Sequence, residues 1–411
     1  MKNETVKKAS ILLLAFLIHA VGCAQNISDV YIKDIPTAAD YTADFEKVSK
    51  VVDEKYTHLK AKGLDGTSFR EKYMVLVKDA KTNLEYGDIL LRYFAELKNS
   101  HSNAIFKKYY KNCMASLIEG RIFLSYLGDS LFIKQGIKEK DEILKINHIP
   151  VLTYIQNQAE YTSASTDLHR EYLTVSGLFS SYYEGNRTYT FSTSSGEKEV
   201  TVHFDEAPIK EMSKSVKPPL KVEHKILNDS VAYIAILSMT GNVVEEFAAA
   251  FDTLSKKQFL IIDLRRNQGG NSGYSEKIAE YLIKKGQKAC VSNRWLSPKG
   301  NSYKGKLFLL TSPYTVSAGE SFALDLLESG NATIVGMPTA GDTGNQPQFY
   351  HSKLGYSYWF PSRNKAQVSP KGFPMEGTSI QPHYTVFKTI TDFLANKDTV
   401  LNYVLNIISK K

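Results

Sequence analysis

Leu307-Phe-Leu-Leu-Thr311-Ser-Pro-Tyr-Thr-Val-Ser317-Ala-Gly-Glu320-Ser-Phe-Ala-Leu-Asp-Leu-Leu327 passes from an apolar run of strand length, through a Ser-Pro turn, into a pattern of helical period. Ser317 is therefore predicted at a strand-to-helix junction. A hydroxyl there can face a cleft, while the first N–H groups of the helix lack intrahelical partners and can meet a developing negative charge. That placement suits a nucleophile. The same residues also spell a Ser-x-x-Glu capping box, Ser317 with Glu320, and this stretch alone favours the cap.

The surrounding residues repeat the alternation. Val231-Ala-Tyr-Ile-Ala-Ile-Leu237, Phe259-Leu-Ile-Ile-Asp-Leu264 and Thr333-Ile-Val-Gly336 are further runs of strand length. Helical patterns at residues 243–256, 275–285 and 318–327 separate the runs, so residues 221–411 are expected to form an α/β core. Asp263-Leu-Arg-Arg-Asn267-Gln-Gly269-Gly270-Asn-Ser-Gly273 follows one strand directly. Its paired glycines allow close backbone approach and leave N–H groups free, as an oxyanion hole requires. It lacks the Gly-Lys-Ser/Thr ending of a phosphate loop and the Gly-x-Gly-x-x-Gly spacing of a dinucleotide site. With no His-Glu-x-x-His and no Cys/His cluster of zinc spacing, neither metal nor cofactor is expected. Ser195-Gly-Glu-Lys198, in a polar turn, matches Ser-x-x-Lys by chance.

Towards the N-terminus, residues 40–106 read as helices. Phe45, Val48, Val52 and Tyr56 share one face, and Ile89, Leu90, Tyr93, Phe94 and Leu97 form a second stripe. Gly63-Leu-Asp-Gly66 is a turn, and residues 67–81 make another helix. This bundle, assigned residues 25–113, ends near Ser100-His101-Ser102. Residues 114–205 are strand-rich: Arg121-Ile-Phe-Leu-Ser-Tyr-Leu127 and Ser130-Leu-Phe-Ile-Lys134 flank Gly128-Asp129, a hairpin signal. Asp141-Glu-Ile-Leu-Lys-Ile-Asn147 then resembles the PDZ signature, with Lys140 in place of its usual Gly. That resemblance implies capture of extended peptides by strand addition. Pro208, Pro218 and Pro219 with several lysines make residues 206–220 a linker.

Composition bounds the function. A chain of 411 residues with 43% hydrophobic content can fill several cores. Its net charge of +8 is spread along the chain without a basic block, so no nucleic-acid partner is expected. Lys7 and Lys8 before Ile11-Leu-Leu-Leu-Ala-Phe-Leu-Ile18 mark residues 1–24 as an export signal cleaved after Ala24, giving a periplasmic, outer-membrane-associated or secreted product. Ala20-Val-Gly-Cys23 also resembles a lipobox, which would place a lipid anchor on Cys23. The apolar run is too short to be a transmembrane span. Cys113 and Cys290 are left to form one disulfide or two buried thiols.

Taken together, these blocks resemble the tail-specific and tricorn-type serine peptidases over nearly the whole chain. The resemblance implies a multidomain α/β protein: N-terminal helical bundle, PDZ-like β-rich domain and ClpP/crotonase-like α/β catalytic core. It also implies Ser317 as nucleophile, with Gly269 or Gly270 and the Ala318 N–H as oxyanion hole. The processing branch of the family draws its base from Thr-x-Gly-Lys. Here Thr339-Ala-Gly341-Asp342 puts Asp342 at the Lys position, so a Lys dyad is not expected and Asp342→Ala should keep substantial activity. The tricorn-like branch carries a His after a Ser late in the helical region and a Glu near the end, matched by Ser100-His101 and Glu376. By that resemblance His101 is the base, held through Ser100 by Glu376.

Where the family commonly reads Gly-Ile-x-Pro-Asp, this chain has Ser379-Ile-Gln-Pro382-His383, which makes His383 an alternative base and His351 a weaker one. The implied function is an exported serine endopeptidase acting on polypeptides. A relative that binds peptides or hydrophobic ligands without cutting them is the alternative. The same nucleophile and oxyanion hole would also serve an esterase or acyl transferase.

Overall fold

The computed structural model describes residues 36–105, 108–205, 220–343, 346–362 and 368–410. The expected export signal, Cys23 and residues 206–219 of the expected linker lie outside them. Three helices come first: α1 (Ala38–Lys55), α2 (Gly66–Asp79) and α3 (Asn83–Glu96). Thr37, Asp65 and Thr82 accept the N–H groups of Asp40, Ser68 and Glu85, so each helix starts with an orphan donor satisfied. Phe45, Val52, Tyr73, Tyr93 and Phe94 bury together between the helices. Because the α3 stripe is locked there, the loop carrying Asn99, Ser100 and His101 leaves the bundle in a fixed direction.

The β-rich part holds β1 (Asn103–Ile105), β2 (Cys113–Ile118), β3 (Arg121–Leu127), α4 (Ser130–Lys134) and β4 (Glu142–Ile146). It continues with α5 (Val151–Gln158), α6 (Asp167–Ser176), β5 (Gly185–Thr193) and β6 (Gly196–Phe204). An antiparallel sheet runs β2-β3-β4-β5-β6. The hairpin expected at Gly128-Asp129 is absent: Asp129 instead accepts the Leu131 N–H and caps α4, which buries Phe132. An Asp that can cap a helix overrode the strand pattern beyond it. The actual turn lies between β2 and β3 at Glu119-Gly120, both with positive φ (49° and 76°), as a two-residue hairpin loop demands.

The C-terminal part contains β7 (Val222–Ile226), β8 (Val231–Ile236), α7 (Val243–Leu254), β9 (Phe259–Asp263), α8 (Ser272–Ala279) and β10 (Lys306–Thr311). There follow α9 (Ala318–Glu328), β11 (Ala332–Gly336), β12 (Pro347–His351), β13 (Ser357–Pro361), β14 (Tyr384–Thr385) and α10 (Thr399–Ser409). The sheet order is β7-β8-β9-β10-β11-β14, parallel except for the β7–β8 pair. The four apolar runs are its middle strands. Leu260, Ile262 and Leu309 face a core shared with α7 and α9, while Ile261, Phe308 and Leu310 face Val400 and Val404 of α10. Strands covered on both faces read as unbroken apolar runs, whereas the edge strands β7 and β14 do not.

One hairpin crosses between parts. β13 pairs with β1, and Tyr358 and Phe360 join the core of the N-terminal helices. The His101 loop is thereby anchored to the α/β core from both sides. Cys113 and Cys290 are buried free thiols in different cores. Among the described residues, no helix is long and apolar enough to cross a membrane.

Candidate active site

Loops leaving the carboxyl ends of parallel strands converge, and here those after β9, β10 and β11 meet. The first two are stapled together. Ser312 Oγ donates to the Arg265 carbonyl at 2.7 Å, Thr315 Oγ1 to the Leu264 carbonyl at 2.9 Å, and the Val316 N–H to the Asn267 carbonyl at 3.0 Å. The Asp-Leu-Arg block is scaffolding for this contact: Arg265 bridges Asp263 and Asp398, and Asp263 also accepts the Tyr233 hydroxyl. Buried Asn267 donates from Nδ2 to the Ile236 carbonyl and accepts the Gly269 N–H on Oδ1.

Ser317 sits between β10 and α9 with φ 55° and ψ −120°, a conformation that costs a side-chain-bearing residue about 1–3 kcal/mol. A strained serine on a sharp strand-to-helix turn is how a hydroxyl is presented for attack. The Ser317 N–H donates to Glu320 Oε2 at 3.2 Å, the backbone half of the expected capping box, while the Ser317 hydroxyl makes no capping hydrogen bond. Glu320 is fully buried and also accepts the Gly341 and Asp342 N–H groups, each at 2.8 Å. Burial pushes its carboxyl up to about 7 against those hydrogen bonds.

The oxyanion assignment narrows. Gly269 spends its N–H on Asn267, whereas the Gly270 and Ala318 N–H groups have no partner among the described residues. Gly269 has no room for a side chain: a Cβ there would lie 2.7 Å from Ser317 Cβ and 3.0 Å from the Ala318 nitrogen, and its φ of 97° is itself hostile to one. Gly269→Ala is therefore expected to cut the rate of Ser317 labelling by an active-site probe about 100-fold, as loss of one oxyanion donor would. Labelling within threefold of wild type would show that the close approach is not needed.

His101 follows α3 with 19% of its side chain exposed. Its Nδ1 lies 2.5 Å from Oδ2 of Asp342, a residue with no exposed surface. The contact is an ion pair by distance, since neither atom has a well-angled hydrogen bond among the described residues. Burial opposes the charged imidazolium, but the Asp342 carboxylate outweighs it and holds His101 above the ordinary histidine range. Burial likewise works against the Asp342 anion, and His101 overcomes it, so Asp342 lies below its usual value. The Asp342 carbonyl accepts the Ser317 N–H at 3.1 Å. A single residue thus touches both Ser317 and His101, more than two hundred positions apart in sequence.

The expected relay through Ser100 is not formed. Ser100 Oγ contacts His169 Nδ1 at 3.0 Å and Ser165 Oγ at 3.3 Å. Asn99 makes the link to Glu376 instead, donating from Nδ2 to Oε2 at 2.8 Å while its Oδ1 accepts the His101 N–H. Glu376 also pairs with Lys62 at 2.5 Å, and its backbone bridges that of Asp342. Burial, then the Asp342 charge, pushes the Glu376 carboxyl up to about 8. The two histidines expected as alternative bases stand elsewhere. His383 lies exposed at the sheet edge, where Nδ1 accepts the Ile334 N–H, and His351 is exposed on the β12–β13 hairpin. Sequence reasoning missed Asp342 and Asn99. In the sequence Asp342 reads only as a replacement for a lysine, yet an acidic residue in that block is itself the signal.

Residues 230–386 match peptidase family S41, residues 117–204 the N-terminal domain of the Bacteroidetes S41 family, and residues 37–95 the tricorn protease C1 domain. Over these three segments the chain is similar to the tail-specific and tricorn-type serine peptidases. It is 24% identical to the tricorn protease of Thermoplasma acidophilum over 82% of its length, and 26% identical to the carboxy-terminal processing protease CtpB of Bacillus subtilis over 51%. It spans only 32% and 41% of those two proteins. Mature CPAF complexed with lactacystin shares the fold at TM-score 0.75 and 14% identity, with 91% of this chain and 99% of that one covered. A putative peptidase from Parabacteroides merdae does so at 0.56 and 17%, with 90% and 96% covered.

Proposed function

We propose that this protein is an exported serine endopeptidase that hydrolyses polypeptides with Ser317 as nucleophile and His101 as base. The Gly270 and Ala318 N–H groups receive the oxyanion. The observation that carries the reading is the strained Ser317 junction beside two N–H groups without a partner among the described residues, tied through Asp342 to His101. A serine hydroxyl is a weak nucleophile at neutral pH and needs an adjacent base. His101 supplies one, and the free N–H groups stabilise the charge that forms on the carbonyl oxygen. Two backbone donors bind the oxygen of an acyl group, and the likeness to S41 peptidases favours a peptide as the source of that group.

A fluorophosphonate probe tests the reading. It is expected to label Ser317 in wild type and to spare Ser317→Ala, with peptide hydrolysis lost in parallel. A wild-type protein that resists the probe and leaves peptides intact would overturn the reading in favour of a binding protein.

The PDZ-like segment is the proposed holder of the peptide's distal part. It is not a detachable appendage. Ser165 and His169 hold Ser100, and Thr166 donates to the Ala340 carbonyl at 2.9 Å, beside Gly341 and Asp342. Deleting residues 114–205 is therefore expected to abolish cleavage of long and short peptides alike, because the deletion dismantles the Asp342 loop. Selective loss of long substrates would show that the segment only binds.

A further inference from the structure

Asp342 occupies the position at which the processing branch of the family would carry its lysine, and the expected consequence was a bystander. The geometry is at odds with that. We propose that Asp342 is the positioning residue for His101, fixing the Nδ1–H tautomer and stabilising the imidazolium formed when Ser317 gives up its proton, while Ser100 acts on His169 instead. This inference rests on the peptidase reading of the site.

Three sets of contacts hold the Asp342 backbone in place. Its N–H donates to Glu320 Oε2 at 2.8 Å, its carbonyl accepts the Ser317 N–H at 3.1 Å, and its backbone bridges Glu376. The chain on either side is fixed too, with the Gly377 N–H on the Gly341 carbonyl and the Thr343 N–H on the Met375 carbonyl, both at 2.8 Å. With its backbone so restrained, the side chain projects its Oδ2 to 2.5 Å from His101 Nδ1.

The groups facing His101 are Asp342 and Glu376 from core loops, Glu320 from α9 and His169 from α6. Lys62 and His58, after α1, face Glu376 and Asp342 in turn. Two adjacent buried carboxyls cannot both ionise at small cost. Burial, then the Asp342 charge, pushes the Glu376 carboxyl up to about 8, while His101 holds Asp342 below its usual value against burial, so Asp342 is the readier anion and lies beside the imidazole. Burial drives His169 down to about 4, so it is neutral and adds no positive charge against His101.

The chemistry follows directly. With Asp342 ionised, the proton of neutral His101 sits on Nδ1 and leaves Nε2 with the lone pair that must take the serine proton. During attack the Ser317 O–H proton moves to Nε2 as Oγ bonds the carbonyl carbon. The imidazolium so formed lies against an anion, and the proton later leaves with the amine. An amide at position 342 could donate to Nδ1 and favour the unproductive tautomer.

The test compares wild type with Asp342→Asn, using one peptide substrate and the fluorophosphonate probe. Asp342→Asn is expected to lower kcat/KM about 10³–10⁴-fold, as in the known serine-peptidase case. Its acidic limb should move to lower pH, because the anion that raised His101 is gone while burial remains. Glu376→Gln, acting one contact further out, is expected to lose less. A folded Asp342→Asn variant with wild-type rate and limb would overturn the proposal.

Nitrogen-15 spectra of histidine-labelled wild type, with His101 assigned from His101→Gln, provide the measurement that needs no Asp342 variant. Neutral His101 is expected to carry its proton on Nδ1, and an Nε2–H form would overturn the proposal even if Asp342→Asn fails to fold. Failure of wild type to react with the probe would instead sink the peptidase reading, while the tautomer still reports on Asp342.

Discussion

Ser317→Ala is expected to lower kcat by about 10⁶-fold, the scale on which serine peptidases lose activity when the nucleophile is removed. The change deletes one oxygen from a partly exposed residue and creates no cavity. Alanine pays the same backbone cost as serine at φ 55°, so Tm should stay within about 2 °C of wild type, in keeping with a change below ~0.5 kcal/mol. The Ser317 N–H still donates to Asp342 and Glu320, so the loop after β11 stays docked. The measurement pairs peptide hydrolysis with a melting curve on one preparation. Turnover near wild type in a folded variant would remove Ser317 from the chemistry. A large fall in Tm would mean that Ser317 serves chiefly as the cap of α9.

The order of parts along the chain was legible because each used a local code. The middle strands β8, β9, β10 and β11 are apolar without a break because helices cover both faces, and Ser317 follows β10 at the junction that the run of residues 307–327 announces. The edge strands gave no such signal. β14 has two residues, and its place beside β11 comes from the Val386 N–H on the Gly336 carbonyl and the His383 pairing with Ile334, contacts between distant residues. The Ser130–Lys134 segment shows the opposite failure, where a local turn signal was really a helix cap.

At the site, residue types were legible but their partners were not. Ser317, His101 and Glu376 stand together because β13 crosses back to β1 and the Asp342 backbone bridges Glu376. Neither event has a period or motif. Ser100 is next to His101 in sequence, which invited a relay between them. The loop turns Ser100 towards His169 and leaves Asn99 facing Glu376. Adjacent residues on a loop end face different neighbours, so sequence adjacency is weak evidence for contact.

His101→Ala should cost kcat/KM about 10⁴-fold or more, because it removes the proton acceptor of the attack step and the proton donor of the step that follows. The pH profile carries the finer result. Protonated His101 cannot take the serine proton, so kcat/KM falls as pH drops through its pKa. Burial alone would set that limb below the ordinary ~6.5 of histidine. The Asp342 carboxylate outweighs burial and raises the pKa, so the limb should lie above ~6.5. His383→Ala is expected to keep both rate and limb, since His383 spends its Nδ1 on Ile334 at the sheet edge. Were His383→Ala to lose the rate and His101→Ala to keep it with an unchanged limb, the base would be His383, and the ion pair between His101 and Asp342 would be a structural contact only.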